Sequence, residues 1–177
     1  MSRLGGEFIP ALEEGDFAVE ARILPGSNLS TTIKYTNKAS QILKERFPEV
    51  EMVVAKIGSG EIPTDPMPME AGDLIVVLKS KKEWSSASTF PELAEKMTKE
   101  LEEVPGLSVG FQFPVQMRFN ELMTGARQDV VVKIFGENLD SLVSNANKIG
   151  KIVNTVEGAQ DLYIEPIEGT PQVVIDF

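Results

Sequence analysis

The sequence predicts an α+β fold: a ferredoxin-like βαββαβ sandwich followed by a second, truncated βαβ(β) unit of the same kind. Three observations carry this. A strand–helix–strand pattern occurs three times, opened by Asp16, Asp73 and Asp129 at spacings of 57 and 56 residues. Each repeat begins with β-branched or alternating apolar residues and continues with apolar residues at helical period. Two such units in tandem complete one βαββαβ layer, and a third is left over.

The elements follow in order. "DFAVEARILPG" (Asp16–Gly26) reads as the first strand, and "SNLSTTIKYTNKASQILKERF" as a helix that Pro48 stops. "PEVEMVVAKIG" is the second strand. The Gly- and Pro-rich stretch Gly58–Gly72 is a loop. "DLIVVLKS" (Asp73–Ser80) opens the second unit. Its helix takes Thr89 as N-cap, carries Pro91 in the first turn, where no N–H is needed, and ends before Pro105. "VPGLSVGFQF" closes that unit. "PVQMRFNELMTGAR" (Pro114–Arg127) is a linker. In the third unit, "DVVVKIFG" (Asp129–Gly136) is a strand, and Leu139, Leu142, Val143, Ala146, Ile149 and Val153 line one face of a helix. "EGAQDLYIEP" and "TPQVVIDF" supply further strands. The expected division is 1–125 and 126–177, the second part being a half domain whose remainder lies beyond Phe177.

Composition removes several functions. The chain of 177 residues carries 27 acids against 17 bases, a net charge of -10. Nucleic acid and anionic membrane surfaces both require a basic face, so neither is an expected partner. There is no cysteine and no histidine, which excludes disulfides, thiolate metal sites and most general acid–base catalysis. Neither a catalytic residue nor a resident cofactor is expected. Leu74–Leu78, the longest strongly apolar run, falls far short of the ~20 residues that span a bilayer, so the chain as written is expected to be soluble. "GSGE" (Gly58–Glu61) lacks the continuation of a phosphate loop. Trp84 is expected to anchor a loop by burial.

Any metal chemistry must therefore use oxygen, with thioether as the soft option. "TDPMPMEAGD" (Thr64–Asp73) sets methionines beside carboxylates. Thioethers suit Cu(I), and carboxylates suit harder divalent ions. Met67 and Met69 read first as gap-filling side chains. Asp65 reads as a turn residue before Pro66.

Three segments carry a family likeness, in order along the chain: "LGGEFIPALEEGDF" (Leu4–Phe17), "PEVEMVVAKIGSGEIPTDPMP" (Pro48–Pro68) and "RFNELMTGARQDVVVKIFG" (Arg118–Gly136). Together they resemble the heavy-metal efflux branch of the resistance-nodulation-division transporters, and "TDPMP" and "FNELMTG" resemble its cobalt–zinc–cadmium type. The resemblance implies that residues 1–125 are the first C-terminal porter subdomain, linker included. Residues 126–177 would be the first half of the second, cut before the docking subdomain. It implies a periplasmic part of a bacterial inner-membrane protein, a proton-driven homotrimer. That pump would work with a periplasmic adaptor (membrane fusion) protein and an outer-membrane channel. The present chain alone is not expected to trimerise.

The copper/silver branch places three methionines in the cleft between porter subdomains. Matched through the flanking motifs, those positions fall here on Glu20, Ala71 and Glu121, none of them methionine. Met67, Met69 and Met123 lie nearby but displaced. The resemblance thus points to carboxylate ligands, Glu20, Asp73, Glu121 and Glu70, and to Zn²⁺, Co²⁺, Cd²⁺ or Ni²⁺ as transported substrate. Each acid also has an ordinary reading: Glu20 as a solvated strand residue, Asp73 as a strand start like Asp16 and Asp129, Glu121 as a cap or solvated position on a short helix. Two alternatives stay open, a copper/silver subtype using methionines and a free-standing ferredoxin-like ligand-binding module. A metal-assisted hydrolase lacks any nucleophile motif.

Overall fold

The computed structural model describes residues 13–59, 67–159, 162–165 and 167. The first two repeats build β1 (Phe17–Arg22), α1 (Leu29–Arg46), β2 (Val50–Ile57), β3 (Ala71–Leu78), α2 (Phe90–Leu101) and β4 (Ser108–Gln112). The strands lie in the order β2-β3-β1-β4, and every neighbouring pair is antiparallel. This is the α+β, βαββαβ order read from the two tandem units.

Strand alternation separates the faces of the sheet. Phe17, Val19 and Ala21 of β1 and Leu74, Val76 and Leu78 of β3 are buried with Ala39, Ile42 and Leu43 of α1 and Phe90, Leu93, Met97 and Leu101 of α2. Each fully buried leucine contributes roughly 2 kcal/mol. The alternate residues, Glu20 and Arg22 of β1 and Ala71, Asp73 and Ile75 of β3, share the opposite face.

Local chemistry sets the helix ends. The Asn28 side chain accepts from the Thr31 amide at 2.8 Å, and α1 ends at Phe47, one residue before Pro48. Thr89 Oγ1 accepts from the Glu92 amide at 3.3 Å while the Ser88 amide donates to Glu92 Oε2 at 2.9 Å. This reciprocal pair, with Pro91 in the first turn, fixes the start of α2. Trp84 donates Nε1–H to the Lys79 carbonyl at 2.9 Å and packs edge-on against Phe90 at 4.7 Å. It anchors its loop as expected.

Beyond β4 the linker forms a helix, α3 (Pro114–Thr124). Pro114 begins it, and Glu14 Oε2 accepts from the Val115 amide at 2.8 Å. Gly125, left-handed at φ 74°, ends it. In the third unit α4 (Leu139–Val153) forms, capped by Asn138 onto the Ser141 amide. The strand expected over Asp129–Gly136 does not: residues 131–136 carry no regular structure, and Val130 and Phe135 are 82% and 87% exposed. A strand needs a neighbour to satisfy its ladder, and none pairs with this segment among the described residues. Residues 162–165 likewise form no strand, and "TPQVVIDF" lies outside the described residues. No helix among the described residues is long and apolar enough to cross a membrane.

Candidate functional site

Three of the four acids singled out in the sequence line one cleft on the open face of the sheet. Glu20 on β1 and Asp73 on β3 are direct cross-strand partners, so the pleat aims both to one side. Like charges directly opposite destabilise a strand pair, and the structure surrounds these two with donors. Glu20 Oε1 receives Arg22 at 2.7–3.0 Å, and Glu20 Oε2 accepts from Gln128 Nε2 at 3.0 Å. Asp73 Oδ1 accepts from Arg127 Nη1 at 2.5 Å. Lys56 is the register partner of Asp73 on β2. Glu121 comes from α3, where Arg118 pairs with it at 2.7 Å; Arg127 Nε lies 3.9 Å from its other oxygen.

The cleft has a volume of about 280 Å³, and its lining also includes Met67, Ala71, Tyr163 and Glu165. The side chains of Asp73 and Arg127 are each 15% exposed, so the pair is largely withdrawn from water without being dry. Burial is the largest influence on Arg127 and lowers it, but the charge and hydrogen bond of Asp73 together with the charges of Glu20 and Glu121 outweigh it and hold the guanidinium above its ordinary range. Arg22 is raised in the same way, its burial overcome by Glu20 and Tyr163 acting together. Its guanidinium also lies 4.5 Å over the Tyr163 ring and donates to Tyr163 Oη at 3.2 Å. Burial is the largest influence on the Tyr163 phenol and raises it.

Glu70 is not brought to this cleft. It precedes β3 in a turn and lines an adjoining pocket that shares Arg22 and Tyr163 with the cleft, while its carbonyl accepts from the Ile23 amide at 2.8 Å. Met69 and Met123 stand 61% and 63% exposed, away from the lining, and only Met67 among the displaced methionines reaches it. As they stand, no three acids among the described residues gather closely enough to hold a metal ion.

The three opening aspartates of the repeats, alike in sequence, have different partners. Asp16 accepts from the Leu78 amide at 3.0 Å, and Asp129 accepts from Gln116 and Asn120 of α3. Asp73 takes the arginine. Sequence reasoning did not select Arg22, Arg127, Gln128, Tyr163 or Glu165. Arg22 had a readable signal, since it shares the Glu20 face of β1 two residues on. Arg127 and Gln128 had none, because their reach depends on where α3 stops.

A second withdrawn carboxylate lies at the other end of the sheet. Glu49 is fully buried. Its Oε1 accepts from the Ser85 and Ser86 amides at 2.7 and 2.6 Å, and its Oε2 from Ser86 Oγ at 2.9 Å. Burial pushes this carboxyl up, but the Ser86 and Ser85 amides more than offset that and hold it at about 2.

Known proteins resemble this chain in sequence and in fold. Residues 1–177 match the model of the AcrB/AcrD/AcrF family. Protein HelA of Legionella pneumophila is 40% identical over 175 residues, 98% of this chain and 16% of that protein. The cobalt-zinc-cadmium resistance protein CzcA of Cupriavidus metallidurans is 39% identical over the same shares. A crystal structure of a heavy metal efflux pump superposes with a TM-score of 0.89 at 31% identity, covering 96% of this chain and 17% of that one. The chain thus spans 16% of the length of these relatives.

Proposed function

The chain belongs to the AcrB/AcrD/AcrF family, and from that premise we propose that it forms the periplasmic substrate-pathway part of a proton-driven inner-membrane pump exporting divalent heavy-metal cations. Zn²⁺, Co²⁺, Cd²⁺ and Ni²⁺ are the candidate substrates. One observation carries the reading: Glu20 and Asp73 face each other across β1 and β3, and Glu121 of α3 lines the same cleft. Carboxylate oxygen without imidazole or thiolate suits divalent ions and holds them loosely enough for release. The work is binding and transfer, with no covalent chemistry. Residues 1–125 act as one porter subdomain and 126–177 as the start of the next. The full-length protein assembles as a homotrimer with a periplasmic adaptor and an outer-membrane channel, while this chain alone does not trimerise.

Calorimetric titration tests this. Zn²⁺ and Co²⁺ are expected to bind, and the Glu20→Ala/Glu121→Ala double variant to lose that binding. Retention of binding in the double variant would remove the carboxylate site. A copper/silver reading draws support from Met67, which lines the cleft. One thioether is a poor Cu(I) site by itself, so anaerobic Cu(I) binding is expected to be the weaker. Tight Cu(I) binding that Met67→Leu abolishes would reverse the assignment.

A further inference from the structure

Arg127 and Gln128 are consecutive, and they bond to the two cross-strand acids: Arg127 to Asp73 at 2.5 Å, Gln128 to Glu20 at 3.0 Å. Both follow Gly125, whose left-handed turn at φ 74° ends α3 and throws the chain across the sheet. Residues 125–128 are therefore a strap laid over the acids, held largely by the same oxygens that a cation would use. We propose that Arg127 is a tethered competitor for the transported cation: cargo enters by displacing its guanidinium from Asp73, so that loading the cleft and releasing the strap are one event. This rests on the cleft being the cation site.

Charge decides which cations can enter. The lining carries four carboxylates, Glu20, Asp73, Glu121 and Glu165, against the guanidiniums of Arg22 and Arg127. A monovalent ion that replaced Arg127 would gain no charge and would forfeit the directed N–H bond to Asp73. A divalent ion brings one more unit of charge to Asp73 and Glu20 than the guanidinium it replaces, in a site largely withdrawn from water. Arg127 thus sets a threshold that Na⁺ and K⁺ fail and divalent ions pass. The guanidinium leaves by side-chain rotation, and Glu121, 3.9 Å from its Nε, remains within its reach.

The test uses the whole chain and Zn²⁺. Arg127→Gln is expected to tighten Zn²⁺ binding roughly tenfold, the effect of removing one competing charge from such a site. Arg127→Lys, which keeps the charge but not the fork, should fall between. In the unaltered chain, Zn²⁺ should speed amide hydrogen exchange at residues 126–128, a readout that needs no variant to fold. Equal or weaker binding by Arg127→Gln overturns the proposal, as does slower exchange at 126–128 on adding Zn²⁺. If Glu20→Ala/Glu121→Ala loses Zn²⁺ while Arg127→Gln matches the unaltered chain, the cleft remains the cation site and the competitor role falls. If neither the unaltered chain nor Arg127→Gln binds Zn²⁺, both fall together.

Discussion

Glu49 and Asp73 are both carboxylates drawn out of bulk water, and they differ in what holds them. Glu49 is gripped by backbone amides and a hydroxyl of Ser85 and Ser86. Those donors cannot leave without unmaking the turn that carries them. Asp73 is gripped by the tip of a long side chain on a strap beyond a helix end. That donor can leave by changing rotamer. The Glu49 carboxylate is itself fully buried, while the lysines Lys79 and Lys96 stand at the edge of its corner on the Pro48 and Ser86 carbonyls. The cleft is open, and its acids are partnered by the movable side chains of Arg22, Arg118, Arg127 and Gln128. A withdrawn, strongly acidic carboxyl is therefore no marker of function by itself. Exchangeable partners are the better sign, and here they single out Asp73 over Glu49.

The largest expected effect breaks the closed corner. Glu49→Ala strips the Ser85 and Ser86 amides of their acceptor inside the fold, and should cost about 3–4 kcal/mol, read as a lower urea midpoint at constant slope. Zn²⁺ affinity of the cleft should not move; if it does, the two ends of the sheet are coupled. A slightly smaller effect comes from acid. Glu49 is held at about 2 against an ordinary 4.5, a lowered folded value. Its stabilisation is complete above about pH 4.5 and fades as pH falls toward about 2, for a total of about 3 kcal/mol. Urea unfolding across that range should show the slope in the unaltered chain and a flatter limb in Glu49→Gln.

The same distinction explains what the sequence made legible. Period, caps and prolines act within a few residues, so β1, β3 and the starts of α2 and α4 could be read directly: Thr89, Pro91 and the stripe from Leu139 to Val153 each carry their own signal. Glu20 and Asp73 could be named singly, through likeness to a family. Their pairing could not, because register is settled by the whole sheet. Glu49 gave no hint, since its value lies in a loop 36 residues away. The strand expected at Asp129–Gly136 shows the converse failure: "DVVVKIFG" has strong strand character, but propensity supplies no hydrogen-bond partner. The linker forms α3 because Pro114 and Gly125 frame it, extending the short helix read around Glu121.

The smallest expected effect is also the most discriminating. Asp73→Asn removes the same ion pair as Arg127→Gln, and each should cost about 1 kcal/mol of stability or less, as befits a pair that is not dry and has other partners in reach. Were the pair only a brace, the two variants would behave alike in every assay. As a competitor and its ligand they must diverge. Losing the carboxylate weakens Zn²⁺ binding, because the cation loses an oxygen and a charge. Losing the guanidinium strengthens it, because the acids are left unguarded. Urea unfolding beside calorimetric titration of the two variants reads both quantities. Equal stabilities with affinities moved in opposite directions identify the pair as one that cargo is meant to open, whereas affinities moved in the same direction would make it the cleft's counterpart of the Glu49 corner.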